Sequence, residues 1–142
     1  MNKKGFLSLE FVILITVGMA FLLMIFPAVS KTADFSNDAL MINKGFDLKE
    51  KIEFSLKELI VFKTRDKMEI KTYFEGKTRI EAKKNKMTFS IVLNNEETKE
   101  FEIKSVKGYE FEEFDKELEG NHLLVLFLKG GKIVIQEKPL LK

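Results

Sequence analysis

His122 is the only imidazole in the chain, and Asn121 beside it places the pair at the start of a strand, where histidine serves as a turn residue. Ser55, Ser90 and Ser105 lack the Gly-x-Ser-x-Gly context that exposes a nucleophilic hydroxyl. There is no cysteine, which excludes a thiol nucleophile, a disulfide scaffold and a cysteine-rich zinc site. The carboxylate pairs Glu96-Glu97 and Glu112-Glu113 are sequence neighbours, so a strand would send them to opposite sides. Asp115-x-Glu117-x-Glu119-Gly120 is similar to the opening of a calcium loop. Leu126 stands at the twelfth position, where such a loop needs Glu, and the segment reads as a solvated acidic turn. Lys77, Arg79, Lys83, Lys84 and Lys86 are interleaved with acidic residues. With 24 basic and 22 acidic residues and a net charge of +2, no nucleic-acid partner is expected. No catalytic residue, metal or cofactor is expected either.

The chemistry that remains lies at the N-terminus. From Phe11 to Val29 no residue is charged. As a helix this run would span roughly 28 Å, the thickness of a bilayer's hydrocarbon. Lys3 and Lys4 precede it and suit a cytoplasmic N-terminus. A cleavable secretory signal, cut near Ala28-Val29-Ser30, or a plain membrane anchor would need no more than this. Neither accounts for Glu10, a carboxylate among Leu7, Leu9, Phe11 and Val12, where ionisable groups are costly and usually functional.

Taken together, Lys3-Lys4-Gly5-Phe6-Leu7-Ser8-Leu9-Glu10-Phe11 resembles the processing site of a type IV prepilin. The spacing Ser8-x-Glu10-x-x-x-Leu14 also resembles the archaeal class III signal peptide, although Phe6 stands where that pattern has Gln. The resemblance covers about the first 30 residues. It implies a leader, residues 1–5, removed after Gly5 by a prepilin peptidase at the cytoplasmic face. The mature chain would begin at Phe6. It further implies that Glu10 meets the new α-ammonium of a neighbouring subunit, with Phe6, Ser8, Glu10 and Leu14 setting the register of assembly. The other implied partners are pilin subunits, a membrane assembly platform and, before assembly, lipid.

The residues make physical sense of that scheme. Cleavage removes Lys3 and Lys4, which hold the helix in the membrane, and creates a cation four residues before Glu10. Thr16 and Ser8 can return their hydroxyls to the backbone. Gly18 and Ala20 permit close helix approach. Pro27 has no N–H and is expected to bend the helix near the membrane exit.

The elements around this segment follow from periodicity. Residues 6–30 are expected as a transmembrane helix, which the resemblance makes the filament core, and residues 31–62 as an amphipathic helical stem. Phe35, Ala39, Ile42 and Phe46 make one stripe, and Leu48, Ile52, Leu56, Leu59 and Ile60 a second. Gly45 is expected to interrupt, with Asp47-Leu48-Lys49-Glu50 capping a restarted helix, although Lys51 to Leu56 also alternates like a strand. From residue 63 the period becomes two. Strands are expected over Met68–Phe74, Thr78–Ala82, Met87–Leu93, Phe101–Ser105, Tyr109–Glu113, Leu124–Leu128 and Ile133–Ile135. Turns are expected at Gly76, Lys84-Asn85, Asn94-Asn95 and Gly130-Gly131. The fold expected is α+β: a long N-terminal helix and, over residues 63–142, an antiparallel β-rich head, as a sheet or small sandwich.

The expected function is structural: a subunit of an archaeal type IV pilus-like surface filament, stored in the membrane with its head outside. The chain has no Asn-x-Ser/Thr acceptor, which favours a minor component over a glycosylated major one. The alternative is a single-pass membrane protein whose outer β domain binds a ligand without polymerising.

Overall fold

The computed structural model describes residues 3–63 and 65–140, with side chains from Leu9 onward in the N-terminal helix. It contains one long helix followed by a five-stranded sheet, an α+β architecture. Helix α1 runs Lys3–Lys57 and passes into a π-turn, Glu58–Phe62. The strands are β1 (Lys67–Lys84), β2 (Lys86–Val92), β3 (Thr98–Lys104), β4 (Glu110–Lys129) and β5 (Lys132–Pro139). The chain divides into two compact units, Met1–Asn37 and Asp38–Lys142.

In the first unit the apolar side chains are uncovered. Phe11, Leu14, Phe21, Leu23, Met24 and Phe26 are all exposed. Pro27 lies inside α1 and offers no N–H to the Leu23 carbonyl one turn back. The hydroxyls of Thr16 and Thr32 donate to the carbonyls of Val12 and Ala28, so neither needs an outside partner.

In the second unit the helix has a buried face. Leu48, Ile52, Leu56, Leu59 and Ile60 enter a core with Ile70, Phe74, Ile80, Met87, Phe89, Phe101, Ile103, Leu124, Leu126 and Ile133 from the sheet. The expected break at Gly45 does not occur. The helix is continuous there, so Asp47-Leu48-Lys49-Glu50 is mid-helix and caps nothing. Gly45 is present for a different reason: a Cβ would overlap the Phe101 ring and come within 3.1 Å of Ile91 Cδ1. Phe101 in turn stacks on Phe89 at 4.9 Å and meets Phe46 edge-on at 5.2 Å. The stripe Phe35–Ala39–Ile42–Phe46 is therefore not a buried face: Phe35 and Phe46 are exposed, and Ile42 is only partly covered.

The π-turn closes the helix. Lys63, in the left-handed region at φ 50°, donates its N–H to Glu58 O, and both Leu59 and Ile60 reach the core.

The sheet order is β3-β2-β1-β4-β5. Neighbours pair antiparallel: Lys83↔Lys86 closes the two-residue turn at Lys84-Asn85, and Lys129↔Lys132 closes Gly130-Gly131. Both glycines of the latter have positive φ, as a primed turn requires. Two strands are longer than expected. Gly76 does not end β1; it sits in a bulge between the pairs Phe74↔Gly120 and Thr78↔Leu118. The segments read as a short strand at Tyr109–Glu113, an acidic turn and a strand at Leu124–Leu128 form the single strand β4.

Beyond its hairpin with β4, β5 makes a second contact. Glu110 and Phe111 run parallel to Lys132 and Ile133, the residues that also pair with Lys129 and Leu128. Both ends of β4 therefore reach the start of β5. A straight strand of that length would separate its ends by roughly 60 Å, so β4 must fold back on itself. Gly120, at φ 86°, provides the bend opposite the β1 bulge.

The contact at Gly45 gives a test. Gly45→Ala should lower the stability of the folded head by about 1–3 kcal/mol, although alanine is the better helix former, because the methyl overpacks Phe101. Gly18→Ala, which meets nothing within 4 Å, should leave the thermal midpoint unchanged. Thermal unfolding followed by circular dichroism compares the two.

Candidate functional site

The N-terminal surface is built from one helix. Glu10 is exposed and shares a shallow groove with Ile13, Leu14, Val17, Gly18 and Phe21, residues that one helix face brings together. Glu10 has no ion-pair partner among the described residues, and it is the only charged group between Leu9 and Val29. An 18-residue window of this helix has mean hydropathy 2.7 with none of it buried, so it is long and apolar enough to cross a membrane. Lys3, Lys4, Gly5, Phe6 and Ser8 belong to the helix by their backbone; their side chains lie outside the described residues. The structure thus brings Glu10 and Leu14 onto one groove, with Pro27 further along α1.

The acidic segment forms no loop. Asp115 receives Arg79 Nε and Nη2 at 2.8 and 2.6 Å across the β1–β4 ladder, and Lys77 lies 3.5 Å from Glu117. The hydrogen bonding of Arg79 holds the Asp115 carboxyl below the usual range. These charges are spread along an exposed strand surface and each is balanced locally.

A second cluster escaped the sequence reading. His122 is not at a strand start; it lies within β4 on the face shared with Phe74 and Leu124. Its Nδ1 is 2.6 Å from Glu137 Oε1 on β5, and its Nε2 is 2.8 Å from the Glu119 carbonyl. Lys116 donates to Glu137 Oε2 at 3.2 Å. The His122 and Glu137 side chains are only 12% and 9% exposed. Burial pushes the Glu137 carboxyl up, but the hydrogen bonds from His122 and Lys116 outweigh it and hold the group below the usual carboxylate range. Both ring nitrogens are occupied, so His122 has none left to activate a serine. Nothing in sequence spacing announces this trio, because Glu137 reaches the other two only through the β4–β5 hairpin.

A cleft of about 210 Å³ lies where α1 meets the β1 bulge, lined by Met41, Gly45, Leu48, Phe74, Gly76 and Ile91, with Lys44 paired to Glu75 at its rim. It is smaller than the roughly 300–1,000 Å³ of ordinary ligand pockets.

Because the Glu137 carboxyl is held low in the folded head, its stabilising contribution is present above the ordinary carboxylate range. That contribution is lost as pH falls through the lowered value. Glu137→Gln should therefore destabilise the head by about 1–3 kcal/mol at neutral pH and flatten the acid limb of its pH–stability curve. Urea unfolding at a series of pH values measures both.

Comparison with known protein families, with characterised proteins and with solved structures finds no match for this chain.

Proposed function

We propose that the chain is a type IV pilin-like subunit of an archaeal surface filament, a minor component by its lack of glycan acceptors. The observation that carries this reading is Glu10: a lone carboxylate, without an ion-pair partner among the described residues, on an uncovered apolar helix, four residues after Phe6 and behind Lys3-Lys4-Gly5. In the proposed course of events the helix is stored in the bilayer with the lysines on the cytoplasmic side. A prepilin peptidase hydrolyses the Gly5–Phe6 bond, removing two positive charges and freeing an α-ammonium at Phe6. The subunit then leaves lipid for a bundle of like helices, drawn in by a membrane assembly platform. There Glu10 pairs with the Phe6 ammonium of a neighbour, since a desolvated carboxylate without a cation is strongly disfavoured. The apolar groove beside Glu10 supports this reading, because it gives the neighbouring helix a surface to pack on.

Two measurements test the proposal. Mass spectrometry of the protein from native membranes should find a mature N-terminus at Phe6; an intact Met1 or a start at Lys31 would refute it. Glu10→Gln should leave processing and membrane insertion intact. It should lower recovery in sheared filaments by about tenfold or more, since stranding one charge of a desolvated pair costs about 3–5 kcal/mol. Equal recovery would favour the membrane-anchored binding domain instead.

A further inference from the structure

We propose that Lys116, Glu137 and His122 form a proton-dependent clasp that holds β4 folded back on itself at Gly120. This inference rests on the head alone and is independent of the assembly reading. Lys116 lies on the first half of β4 and His122 on the second, with the positive-φ Gly120 between them. Glu137 of β5 accepts from both, one oxygen each, at 3.2 and 2.6 Å. The imidazole also spans the bend, its Nε2 reaching the Glu119 carbonyl at 2.8 Å.

The argument is one of donors and acceptors. A carbonyl oxygen and an ionised carboxylate only accept, so both ring nitrogens must donate. A neutral imidazole donates once. The closed corner therefore holds one proton more than a neutral ring and a carboxylate carry together. Removing it would set a nitrogen lone pair against an oxygen lone pair, and the ring must then release either Glu137 or Glu119.

β1 places Thr72 opposite His122 and Phe74 next to it, the rings 6.0 Å apart and neither residue titratable in the working range. α1 presents Asp47 and Lys51 to the cleft lined by Thr72 and Phe74. On β5 the neighbours of Glu137 are Gln136 and Lys138; on β4, Glu117 is engaged with Lys77. The closed corner binds a proton that the open one does not, so rising pH favours opening. Protonating Glu137 instead releases the Lys116 arm on the acid side. Opening would loosen the contact that seats Glu110 and Phe111 against Lys132 and Ile133.

The test uses the full chain in detergent micelles, from about pH 5.5 to about pH 9, spanning the histidine range. Nitrogen NMR of the ring should show both nitrogens protonated at the lower end and one at the upper. Amide exchange at residues 118–122 and 135–139, corrected for its intrinsic pH dependence, should rise about tenfold over the same interval, the loss of one hydrogen bond. His122→Gln should abolish that rise, whereas Lys116→Met should keep it with weaker protection throughout. A ring that carries a single proton at every pH, or protection in the parent protein that does not change with pH, would overturn the clasp. So would a His122→Gln protein with the parent's pH response. If His122→Gln does not fold, the parent titration and Lys116→Met still decide.

Discussion

One helix in this protein must satisfy two different surroundings, and the rest of the structure follows from how it does so. Over Phe11–Val29 the sequence is apolar on every face, so no amphipathic packing could cover it from one side. From Leu48 to Ile60 the buried residues Leu48, Ile52, Leu56, Leu59 and Ile60 form a single stripe, and the sheet covers that stripe. The close approach at Gly45, where a missing Cβ admits the Phe101 ring, marks the beginning of this coverage. Just before it, Asp38 Oδ1 accepts from the backbone and side-chain nitrogens of Asn94, tying the β2–β3 turn to the helix where the second compact unit begins.

A single helix stripe is a narrow object for five strands to cover, and the sheet responds by bending. β1 and β4 are each long enough to turn a corner, and each does so at a glycine: Gly76 within the β1 bulge, Gly120 opposite it. The bend brings both ends of β4 to Lys132 and Ile133, so core residues as distant in sequence as Phe111 and Leu128 converge on one stretch of β5. Curvature of this kind leaves polar groups near the concave corner. Glu137 is nearly buried because the same fold that hides it delivers His122 and Lys116 to its two oxygens.

What could be read from the sequence was whatever local periodicity decides. The helical stripe Leu48–Ile60, the hairpins at Lys84-Asn85 and Gly130-Gly131, and the α+β order are written in neighbouring residues. The misreadings have two causes. Gly45, Gly76 and Gly120 each looked like punctuation, and each lies within a continuous element, because a glycine that ends an element and one that admits a neighbouring side chain or a bend are identical in sequence. The acidic run Asp115–Glu119 read as a turn for want of its partners: Arg79 and Lys77 are cross-strand neighbours on β1. His122 read as a turn residue for the same reason. On the N-terminal helix, Glu10 stood out because a charge beside an uninterrupted apolar run is conspicuous without any long-range information.

Energetics then constrain what the first unit can be doing. Covering one large aliphatic or aromatic side chain is favourable by about 1.5–3 kcal/mol, so leaving more than a dozen of them in water is disfavoured by tens of kcal/mol. Residues 11–29 are long and apolar enough to cross a membrane, and on the proposed function lipid and then other helices cover them in turn. Between those two the hydrophobic effect is indifferent, since acyl chains are as apolar as leucine. On the proposed function, transfer from bilayer to filament must be driven by what differs between the two: close packing and the treatment of charge. Packing gains are modest and spread over the helix face. In lipid a lone carboxylate can only snorkel to the headgroups; in a bundle it can meet a fixed cation one subunit away. A helix that needed only anchoring would be better served by leucine at position 10; on the proposed function, Glu10 is accounted for by a destination in which its charge is matched.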